Sequence, residues 1–172
     1  MAEPMTVRVE VWPVAADSAG IWLVSGDDAW RDTLPVAADS EPHAEVELLV
    51  GAHGDVDPAD VLLLHSTSWR VDGPSVVLTY VAVLRRPGLV LDIWPDARPV
   101  GRELAEAVGK PPTHAAADVP VPRYIDVLLH ALRHLRMLRD TDAVARNALD
   151  ATWQRHLDDL APALAGMYQQ AA

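Results

Sequence analysis

Apolar and charged residues alternate near the start of the chain: Val7, Val9 and Val11 fall on one side of residues 6–12, Arg8 and Glu10 on the other. Side chains point to opposite faces along a strand, so this is a half-buried strand with Arg8 and Glu10 on its polar side, ended by Pro13. Asp17-Ser18-Ala19-Gly20 reads as a turn into a buried strand at 21–24, closed by Gly26-Asp27-Asp28. These two strands are expected to pair. Residues 29–40 lack a period. A helix follows over 41–53, with Ser40 as cap, Pro42 in its first turn and Gly54 closing it in the left-handed conformation. Val46, Leu49 and Val50 are apolar there, and Glu41 and Glu45 lie one turn apart on another face.

The strongest strand signal comes next. Residues 61–69 lead through Asp72-Gly73-Pro74 into 75–84, a run apolar on both faces and rich in β-branched residues. That is the pattern of a central strand covered on both sides. Arg85-Arg86-Pro87-Gly88 ends it, and 89–94 reads as another short strand. Residues 102–108 suit a short helix, and 110–122, with four prolines, an extended connector.

The last third has helical spacing. Ile125, Leu128, Leu129, Leu132, Leu135 and Leu138 give residues 123–139 a broad apolar surface. Asp140-Thr141-Asp142 forms a tight joint and caps a second helix over 143–160, with Leu149, Trp153, Leu157 and Leu160 on one face. Leu164, Met167 and Tyr168 continue its stripe. A joint this short makes the two helices antiparallel. The expected fold class is α+β: a mixed or antiparallel sheet with one helix over 1–97, a short helix and Pro-rich connector over 98–122, and a helical hairpin over 123–172. The hairpin is expected to pack on the first domain or on a second copy.

Composition narrows the function. The 172-residue chain has no cysteine, which excludes disulfides, thiolate zinc sites and cysteine nucleophiles. A net charge of −11 opposes nucleic acid or an anionic membrane as the main partner. No stretch offers the ~20 apolar residues of a membrane helix, and the first residues lack the order of a signal peptide, so the cytoplasm is the expected compartment. One lysine against 13 arginines, with no phenylalanine, reflects a high-GC bacterial coding bias.

Trp30, Leu34-Pro35, the helix ending at Gly54, the strand 60–64, His65-Ser66 and the strand 76–83 follow one another in an order that resembles the Nudix superfamily. The resemblance covers about half the chain, residues 6–94. It implies a scaffold in which a Trp-x-x-Pro-Gly-Gly entry leads into a helix, whose Arg-Glu-x-x-Glu-Glu-x-Gly carboxylates hold magnesium against a pyrophosphate. Aligned on Gly54, this chain has Glu47 at the arginine, Leu48 at the first glutamate, and Gly51 and Ala52 at the glutamate pair. Val36 and Ala37 replace the two glycines. None of the family's catalytic residues carries over.

Three other constellations could carry chemistry. Asp39, Glu41, Glu45 and Glu47 gather carboxylates suited to a hard cation, though Glu47 points away from the face that Glu41 and Glu45 share. The simpler reading is a solvated acidic face. Asp126, His130 and His134 stack at four-residue spacing, and two imidazoles one turn apart can bind a transition metal. Arg123 and Arg133 oppose a cation there, the His-Glu-x-x-His pattern is not met, and a polar helix face accounts for the spacing. His65, with Ser66 and Ser68, lacks the Gly-x-Ser-x-Gly of a nucleophile elbow. Trp30, His65, Arg70 and Tyr80 are nonetheless candidates to line a pocket for a small anionic or ring-shaped ligand. Of the six tryptophans, Trp12, Trp22, Trp94 and Trp153 suit a core, while Trp30 and Trp69 lie beside loops.

The sequence thus points to a non-catalytic binding or regulatory protein on a degenerate Nudix-like scaffold, with no cofactor and with a protein or small ligand as partner. Two alternatives are a metal-dependent hydrolase of nucleoside diphosphate compounds using substitute acids, and an assembly component that oligomerises through the hairpin.

Overall fold

The computed structural model describes residues 5–101 and 124–164. The expected helix over 102–108, the connector, and Met167 and Tyr168 lie outside them. Within the described residues the chain is α+β, with a mixed six-stranded sheet between two helical layers. Strand β1 (Thr6–Ala16) sits at its centre, parallel to β5 (Ser75–Leu84). β5 pairs antiparallel with β4 (Val61–Asp72), which forms one border of the sheet. On its other side β1 pairs antiparallel with both β2 (Ile21–Leu23) and β3 (Trp30–Arg31), and β2 pairs with β6 (Arg98–Pro99). Gly73 adopts φ 55° in the β4–β5 turn, a conformation that favours glycine.

Helix α1 (Pro42–Gly51) covers one face of the sheet. It buries Val46 and Val50 against Val9, Val11, Ala15, Tyr80, Ala82 and Leu84. The other face carries α2 (Tyr124–Thr141), α3 (Ala143–Ala148) and α4 (Ala151–Asp158). Leu128, Leu132, Leu135, Leu149, Trp153 and Leu157 pack there on Trp12, Val14, Val81 and Val83. The hairpin's apolar surface is therefore buried against the sheet of its own chain. Trp153 is fully buried, and its indole N–H donates to the Leu84 carbonyl at 3.2 Å. That bond satisfies the one polar atom of a fully enclosed tryptophan.

Several elements differ from expectation, each for a local reason. β1 runs through Pro13 to Ala16, and the bond made at Pro13 uses its carbonyl, which accepts from Val24 N–H at 2.9 Å. The proline's missing donor is not needed for it. Residues 89–94 form a single 3-10 turn at Val90–Asp92 rather than a strand; the buried Asp17 carboxylate accepts Val90 N–H at 2.9 Å and bends the chain there. Glu41, not Ser40, occupies the N-cap position of α1, with no capping bond from its side chain, and the helix ends at Ala52 in right-handed geometry without using Gly54. The second hairpin helix is broken. Leu149 is extended and buried, and the Asp150 carboxylate accepts from Thr152 and Trp153 N–H groups, starting a new helix. Asp142 caps α3 as its position predicts. Trp22, expected in the core, is half-buried and donates its indole N–H to Asp17.

Candidate functional site

Polar side chains buried under α2–α4 were the least visible feature of the sequence. Strand alternation puts Glu10, Trp12 and Val14 on this face, together with Thr79, Val81 and Val83 of the paired β5. Glu10 is therefore not on a solvated side. It is completely buried. Arg70 donates to both of its carboxylate oxygens, one at 2.9 Å, Arg31 donates at 3.1 Å, and the Thr79 hydroxyl donates at 2.7 Å. Burial pushes the Glu10 pKa up, but these donors outweigh it and hold the carboxyl below its ordinary 4.5. Both arginines remain partly in water, and Arg31 also pairs with Asp28 at 2.6 Å.

One register step along the same face, His65 sits opposite Val81. Its Nε2 lies 3.2 Å from Nε2 of His134 on α2, the rings 5.2 Å apart and inclined by 24°. His134 was expected on a polar helix face; it is buried, because α2 lays that turn against β4. Burial lowers the pKa of both rings. The neighbouring His134 lowers His65 further while Asp142 draws it back, and the Ala163 backbone does the same for His134. Nδ1 of His134 is nonetheless buried without an acceptor in good hydrogen-bonding geometry among the described residues. His130, one turn earlier on α2, is also lowered, by burial first and then by His134 and Arg133. Arg133 is turned to the Ala161 carbonyl at 3.0 Å.

The four candidate pocket residues divide between the two faces. His65 and Arg70 belong to the helical face, in the histidine pair and the Glu10 cluster. Tyr80 is buried in the α1 cluster and Trp30 packs at its edge, stacked on His53 with centroids 3.8 Å apart and planes 11° from parallel. Between α1 and the β4 border runs a groove of about 540 Å³, lined by His43, Glu47, Val50, Val56 and Leu64 among others. Glu41 and Glu47 are exposed and Glu45 half-buried; Glu47 lies 3.7 Å from His43. No three His, Asp or Glu side chains converge as a metal cage among the described residues, whether at these glutamates or at Asp126, His130 and His134.

The His65–His134 pair eluded the sequence reading because 69 residues separate its members. The only hint was an unexplained histidine in each of two apolar elements. No family model matches the chain, and no curated protein matches it either.

Proposed function

We propose that this chain is a non-catalytic binding or regulatory protein on a degenerate Nudix-like scaffold. The observation that carries the reading is the composition of α1. Where the resembled family needs anionic ligands for magnesium and pyrophosphate, α1 and its cap present Leu48, Gly51 and Ala52. Leu48 is 69% exposed, so an apolar side chain faces the solvent where a carboxylate would be required. Carboxylate oxygens are what hard cations bind. The acids that remain, Glu41, Glu45 and Glu47, form no cage to replace them. The groove between α1 and β4 is concave and lined by apolar side chains together with His43 and Glu47, features of a ligand seat that support binding of a small ligand or a protein segment there.

Incubation of the purified protein with magnesium or manganese and a panel of nucleoside diphosphate compounds tests this reading. The expected result is no turnover above a protein-free control. Robust hydrolysis that disappears in the Glu45→Gln, Glu47→Gln double variant would instead establish an enzyme using substitute acids.

A further inference from the structure

The geometry points to a divalent-cation site formed by His65 and His134, taking a borderline metal of the zinc, nickel or copper class. It lies on the face of the sheet opposite α1 and is independent of the function proposed above. Two imidazole nitrogens that each stand 2.0–2.1 Å from a tetrahedral zinc are ~3.3 Å apart. The two Nε2 atoms here are already 3.2 Å apart, with the ring centroids 5.2 Å apart and the planes inclined by 24°. One ring comes from a strand and the other from the middle of an 18-residue helix packed on it, so both are fixed by their elements. Rigid elements hold a ligand set more closely than loops do.

Without a cation, the contact needs one Nε2–H to donate to the other ring's lone pair. A metal takes the place of that shared hydrogen, and each neutral ring then carries its proton on Nδ1. The site suits imidazole-seeking metals rather than magnesium or calcium, which prefer oxygen. The surrounding charges allow it: Asp142 lies within electrostatic reach of His65, and the Arg133 guanidinium is directed to the Ala161 carbonyl. His43 and His130 are the other titratable neighbours. No third carboxylate or histidine converges among the described residues, so the remaining coordination positions belong to water or an external ligand. Such a centre clasps α2 to the border strand.

Titration calorimetry of the chelator-treated full chain with zinc and nickel tests the assignment. One cation per chain is expected, bound at least tenfold more weakly by His65→Gln and by His134→Gln but unchanged in His53→Gln. Equal affinity in all four proteins, or no saturable binding, overturns it. Pulsed electron paramagnetic resonance of the copper-loaded native chain gives an answer that does not depend on how the variants fold. Two coordinated imidazoles are expected. None or one contradicts the site.

Discussion

The two faces of the sheet bury comparable apolar clusters but treat polar groups in opposite ways. On the α1 side the core is apolar, and the charged residues of the helix, Glu41, Glu47 and His43, stay at the surface. On the α2–α4 side the core encloses Glu10, Thr79 and His134 along with its leucines and Trp153. Buried polar groups cost free energy unless partnered, and here Glu10 has three partners while His134 has His65. The contrast teaches that α1 serves as a lid on an apolar layer. The titratable groups in buried polar contacts, Glu10 and the His65–His134 pair, lie on the other side, while Tyr80 and His53 on the α1 side are shifted by burial.

Substitutions can break this comparison, and the largest effect belongs to the helical face. Trp153→Ala removes a fully buried side chain and its bond to Leu84, and should cost about 3–5 kcal/mol in urea unfolding. Glu10→Ala comes next. It strands Arg70 and Arg31, but their side chains are 38% and 42% exposed, so water compensates part of the loss. A cost of about 1–3 kcal/mol is expected, below that of a fully enclosed pair.

The same residue sets a pH dependence. Its pKa is depressed in the folded state, so unfolded chains bind this proton more readily. The stabilisation is present above the ordinary value of 4.5 and is lost as pH falls through the folded value. Unfolding midpoints followed downward from pH 6 should drop less steeply in Glu10→Gln than in the native protein. An identical slope would mean that the cluster does not hold its proton equilibrium as described.

The α1 face should respond more weakly and only through packing. Val46→Ala, at a fully buried position, should lose about 2 kcal/mol. Leu48→Ala, two residues on and 69% exposed, should change stability by less than about 0.5 kcal/mol. Similar losses at the two positions would show that Leu48 is covered in solution.

Much of this architecture was legible because it rests on local chemistry. Alternation in 6–12, the β-branched run of 75–84, the Gly73 turn and the Asp142 cap each specify their element without help from elsewhere. What sequence could not show depends on long-range register. Glu10 looks solvated until β1 is placed at the sheet centre beside Thr79, with Arg70 reaching in from β4. His134 looks like one of a polar helical row until its turn meets β4. Leu149 kept its expected apolar role, yet the helix broke around it, because Asp150 is a better cap than a helix interior residue. The candidate site was half visible: His65 and Arg70 stood among the pocket candidates and His134 in a helical row with Asp126 and His130, but Glu10 was not among them and the pairing across the sheet did not show.

The proposal that α1 lacks metal-pyrophosphate machinery is the one on which the functional reading turns. Manganese added with a nucleoside diphosphate to isotope-labelled protein tests it directly, since a bound paramagnetic ion broadens nearby amide resonances. The account predicts that the amides of Glu41 to Glu47 broaden no more than those of other exposed helical residues. Selective, saturable loss of those resonances at low manganese would contradict it.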